Sequence, residues 1–440
     1  MTGKPALINE SKILESNPPF EPTCMYVTED KIWFSVRRIN ALLCMDKDNW
    51  ELEFAGSFPG EDDYITNVNN SLYRNPVEHN GKMYFPPFLA KEIAVYSHKD
   101  MSFEKLKYQD GDDSQSTERA FLGAISYNNS IFFTPYIYPA IIRLNTNTNK
   151  LTHYTDWLEL RSELTGKISG CCFGFPFLLN NSIWLASQEE NTILEFNAKT
   201  CSSTVYEVGK KGNKYSNMCF DGEYFWITPR MDSKTPLIKW NPQSNETKEF
   251  PDIFIDNDVR GYISPVYHNG YVQLLPVSIG KSFKIDIKTD AITVSDEFTI
   301  EHVENHANRT SMAYISVQIF NDNIFVFNRQ NNCLIKSNTI TGELKEERIK
   351  YSSEASTRLE HFYSLSFLSS IESIKTFLDC YYHENEHTGL CTFLTYITGH
   401  YHKDEATLQR HRQEIAQSLN AVADNTTGKS IYNHIVNLFL

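Results

Sequence analysis

A short run of apolar residues that follows a polar turn recurs along the first three quarters of the chain. The spacing from one run to the next varies only between 42 and 52 residues. Repeats of roughly 40 to 50 residues are typical of β-propeller blades, each built from four antiparallel strands. The pattern therefore predicts an all-β fold, a seven-bladed β-propeller. The seven runs begin at Ile32, Met83, Ile131, Ile183, Phe225, Val272 and Ile324.

A second set of polar positions follows the first at a nearly constant distance. The distance is 14 residues in six repeats and 16 in the fifth. Asn and Asp suit a turn that ends a strand because they tolerate left-handed backbone and hydrogen-bond to their own turn. The constant distance supports one strand arrangement repeated seven times. These positions are Asp46, Ser97, Asn145, Asn197, Asn241, Asp286 and Asn338.

The repeats divide the chain into three regions. We predict an N-terminal extension over 1–20, a propeller over 21–350 and a C-terminal helical segment over 351–440. The blades are expected at 21–58, 70–110, 118–158, 168–208, 213–251, 259–299 and 308–350. A single four-stranded sheet cannot bury both of its faces, whereas seven sheets packed around an axis cover one another. Aromatic residues of the second strand are expected to fill the gap between neighbouring blades.

The ring has two possible closures. Residues before Glu21 complete the last blade in one, and the seventh blade closes on its own strands in the other. After Tyr351 the repeat stops, and apolar residues at helical spacing predict helices over 369–382, 405–423 and 430–440. We expect this tail to cap the propeller or to bind a partner.

Composition narrows the class of protein. Hydrophobic residues make up 41% of the 440 residues and charged residues 22%, which suits a globular core. The formal net charge of −14 argues against nucleic-acid binding, which requires a basic surface. No apolar run is long enough for a membrane span, and residues 1–19 lack a signal-peptide pattern. The nine cysteines are scattered without a C-x-x-C pair, so we expect a cytoplasmic protein.

The blade sequence resembles a known group of propellers. The run Phe225-Trp226-Ile227-Thr228-Pro229 is followed by Leu237-Ile238-Lys239-Trp240-Asn241, which is similar to the repeat of streptogramin-lyase-type and NHL-type propellers. The resemblance covers about residues 21–350 and implies blade architecture only. In the lyase family, two histidines and a glutamate from neighbouring blades hold a metal and transfer protons. Those positions have no match in this sequence, so the resemblance does not carry the activity over.

Arginines occupy one register position of the repeat. Arg37, Arg230 and Arg329 lie five residues after the start of their apolar runs, where the loop between the second and third strands begins. In a propeller these loops share a face with the connections between blades. A guanidinium group presents a charged planar fork to a carboxylate or phosphate. We therefore predict an anion-binding face, although pairing with carboxylates such as Glu118 is an alternative for each arginine. The connections contribute Arg119, Arg260 and Arg309, with Arg74 near one of them.

Two histidine clusters are candidates for catalysis. His302 and His306 alternate with Glu301 and Glu304 in the connection to the seventh blade, and could act as general bases or metal ligands. A polar loop without a catalytic role is the alternative.

The segment 383–387 reads His-Glu-Asn-Glu-His, which on a helix could bind zinc. Glu386 between the histidines and Gly389 just beyond them favour a solvated turn, so no metal site is predicted. The adjacent Cys171 and Cys172 could present a thiol to the central channel, but buried structural thiols are the default.

Three functions fit these features. The first is a binding propeller that recognises an anionic small molecule or an acidic partner protein through the arginines. The second is a metal-dependent propeller lyase or hydrolase, in which arginines orient an anionic substrate and His302 or His306 moves protons. The third is a scaffold without a ligand. The sequence has no glycine-rich phosphate loop, so no cofactor is predicted.

Overall fold

The computed structural model describes residues 22–362, except 38, 48, 64–70, 110–118, 167–171, 231–234, 255–260, 278–279, 301–313, 329–331 and 360. The strands of this part form seven sheets, six with four strands and one with five. The predicted fold class, a seven-bladed β-propeller, is confirmed. Residues Phe20–Ala355 form one compact unit that contains the propeller.

Each of the first four blades is a run of consecutive antiparallel strands. Blade one contains β1 (Pro22–Val27), β2 (Lys31–Val36), β3 (Leu42–Asp46) and β4 (Glu51–Gly56). Blade two contains β5 (Val77–His79), β6 (Lys82–Phe85), β7 (Glu92–Ser97) and β8 (Ser102–Lys107). Blade three contains β9 (Phe121–Tyr127), β10 (Ser130–Pro135), β11 (Ile141–Asn145) and β12 (Leu151–Tyr154). Blade four contains β13 (Phe177–Leu179), β14 (Ser182–Ala186), β15 (Thr192–Asn197) and β16 (Ser202–Glu207).

The last three blades follow the same order. Blade five contains β17 (Tyr215–Phe220), β18 (Phe225–Pro229), β19 (Leu237–Trp240) and β20 (Thr247–Phe250). Blade six contains β21 (Val266–His268), β22 (Tyr271–Leu274), β23 (Gly280–Asp286) and β24 (Ile292–Ile300). Blade seven contains β25 (Tyr314–Phe320), β26 (Asn323–Asn328), β27 (Cys333–Asn338) and β28 (Leu344–Arg348). A short strand, β29 (Lys350–Tyr351), follows blade seven.

Three helical elements accompany the strands in the described part of the chain. Helix α1 (Asp156–Thr165) lies in the connection between blades three and four, and a 3₁₀ turn (Pro251–Phe254) follows β20. Helix α2 spans residues 353–359, and the Ser352 hydroxyl accepts a hydrogen bond from the Ala355 N–H at its start. The helices predicted over 369–382, 405–423 and 430–440 lie outside the described residues.

The polar turn positions form the turns expected of them. Asn145 Oδ1 accepts the backbone N–H groups of Asn147 at 3.0 Å and Thr148 at 3.1 Å. Asn197, Asn241, Asp286 and Asn338 accept the same two bonds from their own turns. The side chain thus replaces water as the partner of two turn amides, which explains why Asn or Asp recurs after the third strand.

Buried aromatic residues of the second strand pack against the next blade. The Trp33 ring lies 5.4 Å from Tyr96 of blade two, and Phe132 lies 5.7 Å from Phe196 of blade four. In the described part of the chain, buried clusters join every neighbouring pair from blades one and two to blades six and seven. Burial between blades therefore holds the ring together, as expected.

The antiparallel order assigns the loops to two faces. The loops between second and third strands and the connections between blades share one face, which we call the upper face. The turns after third strands lie on the lower face. The same order makes each first strand descend from the upper face to the lower one. First strands of neighbouring blades contact one another at β1 and β25, at β5 and β9, and at β17 and β21.

Within residues 22–351, the sheets of blades one and seven close the ring without a shared strand. All four strands of blade seven come from the continuous segment 314–348, so the second of the two predicted closures is correct. The chain then returns to blade one, where β29 pairs in parallel with β4 through Lys350–Glu51 and Tyr351–Leu52. The Ser352 N–H donates to the Leu52 carbonyl at 3.0 Å. Blade one therefore has a fifth strand that is contributed by the end of the propeller.

Candidate functional site at the upper end of the axis

A cavity of about 720 Å³ lies on the ring axis, with residues of all seven blades in its wall. Its upper rim is formed by the register position that carries Arg37 in blade one. This position is the fifth residue after the start of each apolar run, and the structure describes it in six of the seven blades. In five of those six, the residue lies in the wall of the cavity. The sixth, Arg230, donates Nη1–H to the carbonyl of the rim residue Gln188 at 3.0 Å. The six described rim residues are Arg37, Phe88, Tyr136, Gln188, Arg230 and Val277.

Arg74 is a second cation in the wall of the cavity. It lies in the connection that leads into blade two, and its guanidinium is 4.3 Å from the centre of the Phe88 ring. Its Nε–H is buried and has no hydrogen-bond partner within the described ranges, and the same holds for Oδ1 of Asn75 beside it. Buried polar groups normally have partners, so these two atoms mark a place where a bound group would be stabilised.

Charge concentrates around Arg74 and Tyr136. Burial lowers the pKa of Arg74 to about 10, and the nearby cations Arg37 and Arg119 act in the same direction. Burial raises the pKa of Tyr136, whereas Arg230, Arg119 and Arg74 oppose that rise. Arg37 and Arg74 line the cavity, Arg230 donates to the rim residue Gln188, and the backbone of Arg119 is bonded to the rim residue Phe88. The four arginines therefore share one region of the upper face. A pKa of about 10 leaves Arg74 charged at neutral pH.

Arg119 is held in an unusual backbone conformation. Its φ of 65° lies in the left-handed region that residues other than glycine, asparagine and aspartate rarely adopt. The Arg119 N–H donates to the Phe88 carbonyl at 2.6 Å, and the Arg119 carbonyl accepts from Ile137 at 3.2 Å. These bonds fix the start of blade three beside the rim, and they leave the Arg119 side chain exposed.

A buried ion pair anchors helix α1 at the same face. Arg161 contacts Glu190 directly, and its Nη2 lies 3.6 Å from Glu189 Oε2. The side chains of Arg161 and Glu190 are only 2% and 7% exposed. The pair fixes the loop between β14 and β15, which carries the rim residue Gln188.

Cys172 lies near this loop and is a poor nucleophile. Burial raises its pKa to about 11, and Glu189 adds to the rise while Arg230 and Arg161 oppose it. A thiol reacts as the thiolate, so almost none of Cys172 is in the reactive form at neutral pH. Cys171 lies outside the described residues.

The structure brings three of the six predicted arginines together, namely Arg37, Arg119 and Arg230. Arg74 joins them, although its sequence position indicated only that it lies near a connection. The uncharged rim residues were not predicted, because only charged residues at this register position were considered. The remaining predicted residues lie outside the described residues: Arg260, Arg309, Arg329, His302, His306 and the histidine segment 383–387. Within the described ranges, no three His, Cys, Asp or Glu side chains are grouped as metal ligands. The described helices include none long and apolar enough to cross a membrane.

Fold and cavity together define a seven-bladed propeller with a cationic upper rim. No protein-family model matches the chain, and no curated protein is similar enough to match it. Among solved structures it is similar to streptogramin B lyase, with 15% identity over 76% of this chain and 96% of the lyase chain and a TM-score of 0.54. It is also similar to YCF48 bound to a D1 peptide, with 10% identity over 71% and 90% of the two chains and a TM-score of 0.50. These likenesses confirm the predicted resemblance in blade architecture and show the fold alone.

Proposed function

We propose that this protein is a binding propeller that recognises an anionic ligand at the upper rim of its axial cavity. The observation that carries the proposal is the grouping of four arginines at the upper rim of the cavity in a protein with a net charge of −14. They are Arg37, Arg74, Arg119 and Arg230. Four cations in one region repel one another, and a bound anion would offset that repulsion.

The surroundings of Arg74 support an anion in particular. Its guanidinium lies against the face of Phe88, and its buried Nε–H is without a partner in the described part of the chain. A buried donor without a partner costs about 1–3 kcal/mol, which a carboxylate or phosphate oxygen would recover as a charge-assisted hydrogen bond.

The size of the cavity favours a small molecule. Ligand sites of roughly 300–1,000 Å³ are typical for small molecules, and this cavity measures about 720 Å³. Arg260, Arg309 and Arg329 belong to the predicted ligand-binding set by their sequence positions. Five of the six described cysteines, Cys24, Cys44, Cys172, Cys201 and Cys219, are free thiols, which supports a cytoplasmic location.

An acidic segment of a partner protein is the second candidate ligand. YCF48, which has a similar fold, has been solved with a peptide bound. Carboxylates of such a segment would engage the same guanidinium groups. A metal-dependent lyase or hydrolase remains the enzymatic alternative, with His302 and His306 as the predicted proton-transfer residues.

Calorimetric titration with inorganic phosphate, citrate, phenyl phosphate and an aspartate-rich peptide tests the proposal. We expect Arg74→Gln and Arg230→Gln each to weaken binding of the best ligand by roughly 10- to 150-fold, because each removes a charge-assisted hydrogen bond. Lys199→Gln removes one positive charge from an exposed turn on the lower face and should leave the affinity unchanged.

Three results separate the alternatives. Equal affinities for wild type and both rim variants would refute the rim as the binding site. Binding of the peptide but of no small anion would favour the partner protein. Loss of binding on addition of EDTA would favour the metal-dependent enzyme.

A further inference from the structure

The cavity changes character below its rim. The rim carries Arg37, Arg74, Tyr136 and Gln188, whereas the wall beneath it is mainly apolar. The apolar side chains come from the first strands of blades three to seven and the residues just before them. They include Leu122, Phe177, Met218, Val266, Val317 and Ile319.

Position along a first strand gives the depth of a residue below the rim. In blade seven, the N–H of Tyr314 donates to the carbonyl of the rim residue Val277 at 3.3 Å, so Tyr314 lies at rim height. Ile319 lies five residues further down β25, which corresponds to about 16 Å at the rise of an extended strand. The apolar wall therefore extends well below the cations.

Polar groups in the wall are partly engaged already. Oδ1 of Asn217 accepts the Phe175 N–H at 2.9 Å, and Oε1 of Gln318 accepts the Val27 N–H at 2.6 Å. Phe177 and Val317 remain half-buried, and Ile319 is 44% exposed. Apolar surface that lines a cavity and stays open to solvent is stabilised when a ligand covers it.

We infer that the ligand is an amphipathic organic anion, with its charged group at the rim and an apolar body along the axis below. The inference rests on the proposed function, since the rim cations must hold the charged group. It adds the requirement that the ligand carry an apolar group as well as a charge. A small hydrophilic anion such as phosphate satisfies the guanidinium groups and leaves the apolar wall uncovered.

A series of n-alkanoates separates the two parts of the site. Acetate, butanoate, octanoate and dodecanoate carry the same carboxylate and differ only in apolar length, and extended dodecanoate is about as long as the depth of Ile319 below the rim. We expect the affinity measured by calorimetry to rise about fourfold for each methylene that enters the cavity, as burial of one methylene predicts. Arg74→Gln should weaken every member by a similar factor, because it alters only the contact with the carboxylate.

Substitutions in the wall should act on the apolar body alone. Ile319→Asp and Val317→Thr are expected to flatten the rise from acetate to dodecanoate and to leave the affinity for acetate nearly unchanged. Ile319 is partly exposed, so the aspartate can be hydrated in the folded protein. Val294→Asp introduces the same carboxylate at a 53% exposed position of β24 and should leave the whole series unchanged.

The outcomes are distinguishable. If alkanoates of all lengths bind with equal affinity in a manner that depends on Arg74, the rim function stands and the amphipathic ligand is refuted. If neither phosphate nor any alkanoate binds, the proposed function fails and this inference fails with it. A rise with chain length that Ile319→Asp and Val317→Thr leave intact would place the apolar body elsewhere and overturn the inference.

Discussion

The backbone N–H of Val27 donates a hydrogen bond to Oε1 of Gln318 at 2.6 Å, which joins residues 291 positions apart. The bond connects β1 of the first blade to β25 of the last one. At the same seam the Phe34 and Phe327 rings meet edge to face, 6.0 Å apart. Because no strand within the described residues is shared between the sheets of these blades, side-chain contacts and the short strand β29 hold the ring closed.

Replacement of Gln318 by methionine should destabilise the ring. The substitution keeps the length of the side chain but leaves the Val27 N–H without its acceptor, at a cost of about 1–3 kcal/mol. Urea unfolding followed by circular dichroism would show a lower midpoint. Gln243→Met makes the same change in an exposed turn, and an equally large effect there would contradict the role of the seam.

The pair Arg161 and Glu190 should behave as one buried unit. Arg161→Met alone leaves Glu190 buried without its cation and is expected to cost about 3–5 kcal/mol. Glu190→Leu alone should cost less, because Glu189 stays 3.6 Å from Arg161. The double variant Arg161→Met/Glu190→Leu should recover much of that loss, because an apolar pair can fill the same site. Additive losses in urea unfolding would contradict this coupling. The exposed pair Lys82 and Glu104 is the control, and its substitutions should change stability little.

Asp290 should contribute a pH-dependent part of the stability. Burial alone would raise its pKa, but hydrogen bonds from Lys239 and Lys248, both at 2.7 Å, outweigh burial and hold the pKa below its ordinary value. A lowered carboxyl pKa stabilises the fold above the ordinary value of about 3.9, and this contribution is lost as the pH falls through the lowered pKa. Asp290→Asn should therefore destabilise the protein at neutral pH and have a shrinking effect in acid.

Thermal unfolding from neutral pH into the acid range measures the contribution of Asp290. Glu246→Gln removes an exposed carboxylate and should give a curve parallel to wild type. A difference between Asp290→Asn and wild type that persists unchanged in acid would contradict the ion-pair explanation.

Cys172 should alkylate slowly at neutral pH. With its pKa raised to about 11, the rate with iodoacetamide should climb as the pH approaches that value. Glu189→Gln removes a nearby negative charge, so it should lower the pKa and speed the reaction at a given pH. Peptide mass spectrometry resolves the modification at each cysteine. Glu207→Gln, on the exposed outer strand of blade four, should leave the rate unchanged, and rapid alkylation of the wild type would refute the raised pKa.

The seven blades could be predicted from the sequence because each blade buries its apolar residues in the same way. Every blade needs an apolar second strand and a turn after its third strand, so both signals recur. Helix α1 gave no comparable signal, since its buried residues are Trp157 and the charged Arg161 and they form no apolar stripe. Strand β29 is two residues long and depends on a strand made some 300 residues earlier.

The candidate site could be predicted only in part. The register position predicted that Arg37 and Arg230 lie on the rim. Phe88, Tyr136 and Gln188 occupy the same position in other blades but were not predicted, because they carry no charge. The repeat spacing alone would have found them. The stacking of Arg74 on Phe88 could not be foreseen, because it depends on how the connection into blade two folds over the rim.

Because β29 pairs with β4, blade one is completed only after the rest of the propeller has been synthesised. β4 leaves the ribosome about 290 residues before its partner. At about 5–20 residues per second, roughly 15–60 s pass before Lys350 is available. During that interval the outer edge of blade one is an open template for other strands in a crowded cell. The first blade made is thus the last one finished, and a nascent chain that stalls before Lys350 exposes the part of the edge, at Glu51 and Leu52, that the complete protein covers.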